Sequence, residues 1–230
     1  MAEKTFTTKT VLPKKSVVDD KLKPTAEMHI LVGGPYKLDG EEHRYGHAAI
    51  RIKTSSADLT YDFGRYGRVT GDFGAEGEGI LRIWSNFDKY ISQENALKRK
   101  TRGFVFFIFE KQAEDVNKYY KNMTATAKKR TATARGRPYI EIHELPQNYH
   151  ALGYNCTTLS LDGALKAYPT FEVGSKPYIQ PDDVMTFSEK LAMKTVGGGI
   201  PKRIFLPANL EDFLSGKPAI KPNRVDTHGG

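Results

Sequence analysis

Hydrophobic and polar residues alternate along the first half of the chain, as they do in β-strands. The pattern predicts strands over residues 29–36, 46–54, 58–67, 80–85 and 102–110. Residues 46–54 and 58–67 are joined by the turn sequence SSAD, so they predict an antiparallel hairpin. The segment 102–110, RGFVFFIFE, is apolar at consecutive positions, which favours a central strand buried on both faces.

The period of the pattern changes in the second half of the chain. Residues 113–130 and 155–168 carry apolar side chains every three or four positions, which predicts two helices. A further short helix is expected to begin at Pro181, and short strands are expected at 139–145 and 203–207. Hairpins followed by separate helices predict the α+β fold class.

The ends of the chain differ in composition from its middle. Residues 1–25 are polar and rich in lysine and threonine, so they predict a flexible basic N-terminal arm. Residues 216–230 predict a flexible C-terminal tail, which leaves 26–215 as one compact domain. The glycine-rich, acidic segment 71–79 predicts a mobile loop. The sequence has no apolar run long enough to span a bilayer and no Sec-type signal peptide at its start.

The positive charge of the chain is concentrated in one stretch. The formal net charge is +8, and residues 98–137 hold twelve basic and three acidic residues. Such a stretch could face nucleic acid, anionic lipid or an anionic cell-wall polymer, or could be a solvated helix face. The sequence leaves these four interpretations open.

Cys156 is the single cysteine of the chain. An intramolecular disulfide and a zinc site built from several thiolates are therefore excluded. Cys156 begins the predicted helix 155–168, with Asn155 as a candidate cap. A helix N-terminus lowers the pKa of a thiol and offers N–H groups that could hold an oxyanion. The alternative is that Cys156 is a small buried residue of the core.

Two other residues could complete a nucleophilic site. His47 opens the strand 46–54, where its ring could take a proton from a nearby thiol. Asp62 lies on the other strand of the hairpin, and a carboxylate there would orient the imidazole. Thr60 lies on the same face of that strand and is the alternative third residue. His43, His143 and His150 do not have the spacing of a zinc site, so neither a metal nor a cofactor is expected.

Three short motifs together resemble a known family. GHAAIRI around His47, YDFG around Asp62 and YNCTTLSLDGAL around Cys156 are similar to the permuted branch of the NlpC/P60 papain-like superfamily, in which the histidine precedes the cysteine. The resemblance covers roughly residues 28–170. It implies an antiparallel sheet packed with helices and a cysteine hydrolase that uses Cys156, His47 and Asp62. It also implies an oxyanion or substrate role for Tyr154 and Asn155.

The resemblance further implies a substrate and a setting. Relatives of this superfamily are often cell-wall amidases, and some are toxins delivered between bacteria. The expected substrate is therefore peptidoglycan peptide, cleaved by an effector that leaves the cytoplasm through a type VI secretion machine without a Sec signal and acts in the target-cell periplasm. The expected partners are a secretion-machine carrier and a cognate immunity protein, and no nucleic acid.

Two other functions remain open on the sequence. The same fold also serves acyltransferases, thioesterases and phospholipases that act on lipids. The basic stretch 98–137 would also suit a non-enzymatic module that binds the envelope or nucleic acid, although the chain has no recognisable nucleic-acid motif.

Overall fold

The computed structural model describes residues 23–38, 41–43, 45–70, 76–131, 134–183, 185–186, 190 and 201–229. The strands are β1 (Ala26–Gly33), β2 (Tyr36–Leu38), β3 (Glu41–His43), β4 (His47–Lys53), β5 (Asp58–Gly64), β6 (Val69–Thr70), β7 (Glu76–Gly77), β8 (Ile80–Trp84), β9 (Thr101–Ile108), β10 (Lys128–Lys129), β11 (Ile140–Glu144), β12 (Tyr149–His150) and β13 (Arg224–His228). The helices are α1 (Phe87–Ala96), α2 (Glu110–Thr124), α3 (Cys156–Ala167) and α4 (Pro207–Ser215), with 3-10 turns at Lys176–Tyr178 and Pro181–Asp183.

Eight strands form one antiparallel sheet in the order β10-β11-β8-β5-β4-β1-β9-β13. Two small sheets, β12-β7-β6 and β2-β3, stand beside it. The described part of the chain therefore has the α+β class that the sequence predicts. None of the helices in that part is long and apolar enough to cross a membrane.

Both faces of the large sheet are covered, which explains the near-continuous apolar runs in its central strands. On one face, Ile30 and Ile50 pack in the larger core beneath α2, α3 and α4. On the other face, Leu31 and Ala49 pack with Trp84 and with α1. Because side chains alternate along a strand, consecutive residues of β1 and β4 belong to opposite cores.

The hairpin β4–β5 opens at one end. Its ladder runs from the Lys53–Asp58 pair to the Ile50–Tyr61 pair. Strand β4 nevertheless begins at His47, and β5 continues to Gly64. The two strands therefore separate beyond Ile50, while β1 and β8 remain paired to their outer sides. Helix α3 packs against both strands of this hairpin.

The hairpin and the two longer helices confirm the sequence pattern. Helix α2 covers Glu110–Thr124 rather than 113–130, because residues 125–127 turn the chain into β10. Helix α3 covers Cys156–Ala167, close to the predicted 155–168. The first 22 residues of the predicted arm, residues 71–75 of the predicted loop, and residues 184, 187–189 and 191–200 of the region after Pro181–Asp183 lie outside the described residues.

Two predictions about the last part of the chain are wrong. Residues 203–207 are not a strand: Ile204 and Phe205 are buried in an irregular segment, and Pro207 begins α4 at a position that suits proline. Residues 216–230 are not merely a flexible tail, because β13 adds an edge strand to β9. Asn223 anchors this strand by accepting a 2.7 Å hydrogen bond from the backbone N–H of Phe107.

Candidate active site

Cys156 is fixed at the start of α3 by a reciprocal cap. The Oδ1 atom of Asn155 accepts a 3.0 Å hydrogen bond from the backbone N–H of Thr158, and the Oγ1 atom of Thr158 accepts one of 3.0 Å from the backbone N–H of Asn155. This capping box satisfies two donors of the first turn. Cys156 is 5% exposed and therefore meets solvent only narrowly.

The side chain of Asn155 is committed to this local structure. Its Nδ2 atom donates to the carbonyl oxygens of Ala151, at 2.6 Å, and Phe205, at 3.0 Å. Both N–H groups of this amide have carbonyl partners, and these hydrogen bonds hold the loop before α3 in place. An oxyanion or substrate role for Asn155 stays a prediction.

Tyr154 lies on the flank of α3. Its ring packs edge-on against Phe63, with 4.9 Å between ring centroids. Burial, with the charge of Asp162, raises the pKa of Tyr154 to about 12. Tyr154 lines a cavity of about 350 Å³ whose wall also includes Thr158 and Arg203. A substrate role for Tyr154 stays a prediction.

The position of His47 depends on a close contact between two backbone segments, at Gly46 and Gly33. Gly46 has φ of +69°, and a Cβ atom at that position would lie 2.4 Å from the carbonyl oxygen of Gly33. Glycine is therefore required where the chain turns into β4. His47 follows as the first residue of the strand, at the separated end of the hairpin.

The thiol of Cys156 meets the imidazole of His47 at this separated end. The sulfur interacts with the His47 ring and with the backbone of Ala48. Because side chains alternate along β4, His47 belongs to the same face as Ala49, which packs with the residues of α1, whereas Ala48 belongs to the face on which α3 packs. The opening between β4 and β5 explains how side chains from the two faces come together.

Asp62 holds the other side of the imidazole. The Oδ1 atom of Asp62 lies 2.7 Å from the Nε2 atom of His47, which leaves Nδ1 as the ring nitrogen for the thiol. Asp62 is fully buried. The Oγ1 atom of Thr60, the alternative third residue, is buried without a hydrogen-bond partner among the described residues. Of the two candidates, Asp62 is therefore the one that binds the ring.

Three residues that the sequence analysis did not single out complete the environment of Asp62. Arg82 donates from Nε to Oδ2 at 2.8 Å, and Trp84 donates from Nε1 to the same oxygen at 3.4 Å. Tyr66 donates its hydroxyl to Oδ1 at 2.8 Å, and its ring lies 3.4 Å from the guanidinium carbon of Arg82. The sequence signal that could have revealed this buried acid is the arginine inside the apolar strand ILRIW.

The charged groups of this cluster shift the pKa values of their neighbours and so stabilise their charged forms. Burial would raise the pKa of Asp62, but the charges of Arg82 and His47 hold it well below its usual value. Burial would lower the pKa of His47, but the charge and hydrogen bond of Asp62 raise it to about 10. Burial would raise the pKa of Cys156, but the interaction with His47 lowers it instead. The arrangement therefore favours a thiolate beside an imidazolium.

Tyr149 is a further neighbour of the thiol that the sequence analysis did not identify. Its hydroxyl interacts with the sulfur of Cys156, and burial raises its pKa well above the usual value. Tyr149 is therefore a neutral donor at the edge of the site. It is carried by the short strand β12, which no alternating pattern marks in the sequence.

The other histidines form no metal site with the described residues. The Nε2 atom of His143 lies 3.2 Å from Glu141, and the Nδ1 atom of His150 accepts a hydrogen bond from the backbone N–H of Leu152 at 3.2 Å. The described residues contain no group of three histidine, cysteine or acidic side chains placed to hold a metal ion. The side chain of His43 lies outside the described residues.

Comparisons with protein-family models, curated proteins and solved structures gave no match for this chain. The contacts among Cys156, His47 and Asp62 therefore carry its functional interpretation.

Proposed function

We propose that the protein is a cysteine hydrolase of the permuted papain-like type, with Cys156 as nucleophile, His47 as general base and Asp62 as the residue that orients His47. The observation that carries this proposal is the position of His47, whose Nε2 atom lies 2.7 Å from Asp62 and whose ring is close enough to Cys156 to lower the pKa of its thiol. A nucleophile, a base and an orienting acid in contact are the elements of nucleophilic acyl transfer.

The first half of the reaction forms an acyl-enzyme. His47 takes the proton of the thiol, and the thiolate attacks the carbonyl carbon while the carbonyl π electrons move to oxygen. The oxyanion is held by backbone N–H groups at the start of α3, where Thr158 is already engaged by Asn155 and the groups of Cys156 and Thr157 precede it. The intermediate then expels the amine, which takes the proton from His47 and leaves a thioester.

The second half releases the acid. His47, now neutral, takes a proton from water as the water oxygen attacks the thioester carbonyl. The carbon–sulfur bond breaks, the thiolate leaves, and His47 keeps the proton that restores the ion pair. Asp62 stays ionised throughout because Arg82 compensates its charge, so it stabilises the imidazolium without taking its proton.

We propose peptidoglycan peptide as the substrate and an antibacterial effector as the biological role. Support for this comes from the motif resemblance and from the basic stretch 98–137, which would favour an anionic envelope. Lipid esters remain the alternative substrate class because the same pair can attack an ester carbonyl.

The test compares purified sacculi and mixed phospholipids as substrates for the wild type and Cys156→Ala. Ser160→Ala is a matched control on the same helix, since the hydroxyl of Ser160 donates to the backbone carbonyl of Cys156 at 2.8 Å and has no other hydrogen-bond partner among the described residues. Loss of about 10⁴-fold in turnover is expected for Cys156→Ala, and near-normal turnover for Ser160→Ala. Normal turnover by folded Cys156→Ala would overturn the proposal, and release of fatty acid instead of peptide fragments would reassign the substrate.

A further inference from the structure

A cavity of about 220 Å³ adjoins the environment of Asp62. The described side chains that line it include three arginines, and they are Tyr66, Ile80, Arg82, Arg130, Arg137 and Ile142. We call it the arginine cavity. Its volume is that of several water molecules, so it can admit a carboxylate or a phosphate group.

The guanidinium of Arg82 has a fixed orientation in this cavity. Its Nε and Nη2 atoms donate to Asp62, and both lie on one edge of the planar group. The ring of Tyr66 covers one face of that plane at 3.4 Å. The Nη1 atom lies on the side of the guanidinium away from Asp62, so the group presents a further donor to another acceptor.

Arg130 is oriented by acids in the same way. Its Nε atom donates to Glu144 at 3.1 Å, and its Nη2 atom donates to Glu78 at 2.7 Å. Arg137 is positioned by a turn in which its backbone N–H donates to the carbonyl of Ala134 at 3.0 Å. Both arginines belong to the basic stretch 98–137, whose partner the sequence leaves open.

We propose that the arginine cavity binds an oxyanion, a carboxylate or a phosphate group, and that the bound group acts on the His47–Asp62 pair through Arg82. A guanidinium group suits such ligands because it is always charged and has five N–H donors, so Arg82 and Arg130 keep N–H donors beyond those that bind Asp62, Glu78 and Glu144. The binding itself is independent of the proposed function. The coupling rests on the proposed function, since it concerns the base of that reaction.

The direction of the coupling follows because the bound anion and Asp62 share the positive charge of Arg82. An anion bound to Arg82 competes with Asp62 for the positive guanidinium. Asp62 is then less compensated and attracts the proton of the imidazolium more strongly. A bound oxyanion should therefore make His47 harder to deprotonate.

Binding is tested by calorimetry with inorganic phosphate and, separately, acetate, at constant ionic strength. We expect Arg137→Gln to lose about tenfold or more in affinity, the scale of one charge-assisted hydrogen bond. Arg135→Gln is the matched control, because Arg135 is exposed, lies two residues away and does not line the cavity. The stronger of the two probes identifies the ligand group. Equal affinity in both variants, or no binding by the wild type, would overturn the site.

Coupling is tested by NMR titration of the His47 imidazole, assigned by the loss of its signal in His47→Gln. Saturating phosphate, or acetate if it binds more tightly, should raise the titration midpoint by about half a pH unit or more in the wild type and leave Arg137→Gln unchanged. An unmoved midpoint in the saturated wild type would overturn the coupling. Neither measurement uses turnover, so loss of the anion site and loss of the proposed hydrolase activity are separate outcomes.

Discussion

Arg82 donates to Asp62 from two nitrogens of its guanidinium, and both hydrogen bonds end on the single oxygen Oδ2. The other oxygen, Oδ1, is thereby left to His47, 2.7 Å away, and to the hydroxyl of Tyr66. Asp62 is therefore both the counter-ion of a buried arginine and the residue that orients the base. This double role makes its removal costly for the fold as well as for the chemistry.

Asp62→Asn should lower the stability of the protein as well as its turnover. From the sequence alone, a neutral isostere would cut turnover with little change in melting temperature. In the structure, the same change leaves the guanidinium of Arg82 buried without a counter-charge, which costs about 3 kcal/mol or more when one partner of a buried pair is removed. The free energy of unfolding, measured by urea denaturation, should therefore fall.

The double variant Asp62→Asn with Arg82→Met is the control for this prediction. Removing both charges should recover much of the lost stability, because the uncompensated cation is gone, while turnover stays low because the imidazolium has lost its partner. The single variant Arg82→Met completes the comparison. If the double variant loses as much stability as the two single variants together, Arg82 and Asp62 do not depend on each other.

The thiolate of Cys156 should persist at mildly acidic pH. The interaction with His47 lowers the pKa of the thiol, so ionisation is favoured below the usual thiol range. The rate of iodoacetamide alkylation, followed by mass spectrometry, should change little between pH 6 and 8 in the wild type.

His47→Ala should restore ordinary thiol behaviour. Without the imidazolium, burial still raises the pKa of Cys156 and the weaker contacts with the Ala48 backbone and Thr157 still lower it, so the largest cause of the lowered pKa is gone and the alkylation rate should rise about tenfold per pH unit between pH 6 and 8. A wild-type protein with the same steep rise would show that no ion pair forms between Cys156 and His47.

The local sequence pattern was sufficient for the elements that carry the site. Alternation on both sides of the SSAD turn placed His47 and Asp62 on facing strands, and helical spacing placed Cys156 at the start of α3. Each of these inferences depends on neighbours within about fifteen residues. The contact between the two elements was proposed from the motif resemblance and could not be read from periodicity.

Contacts between distant segments could not be predicted in this way. Arg82 reaches Asp62 because β8 pairs with β5, and the edge strand β13 pairs with β9 across more than a hundred residues of chain. The segment of β13, RVDTH, is short and polar, since its side chains are exposed or half-buried. Its composition therefore resembles that of a loose tail.

Deletion of residues 218–230 should lower the stability of the domain. The truncation removes β13 together with the hydrogen bond of Asn223 to the Phe107 backbone and the ion pair of Arg224 with Glu27. It also exposes the paired edge of β9. A melting temperature several degrees lower is expected. The point variant Val225→Thr, at an exposed position of β13, is the control that keeps the strand, and an unchanged melting temperature in the truncated protein would contradict the prediction.

Two variants of Asn155 distinguish a structural role of its side chain from a catalytic one. Asn155→Ser should keep a cap acceptor for the N–H of Thr158, since serine is about as good an N-cap as asparagine. It removes the two donors that bind the carbonyls of Ala151 and Phe205, so a loss of about 2 kcal/mol is expected. Asn155→Ala should lose about 1 kcal/mol more, because the cap is lost as well.

The same two variants decide whether the Asn155 amide touches the reaction. If its donors only hold the loop, the rate of Cys156 alkylation and the turnover per folded molecule should stay within a few-fold of the wild type in Asn155→Ser. Loss of an oxyanion donor would instead lower turnover by about 10² to 10³-fold. Such a fall without a loss of stability would support the oxyanion role predicted for Asn155 from the sequence, and the urea midpoint measured beside the turnover distinguishes the two results.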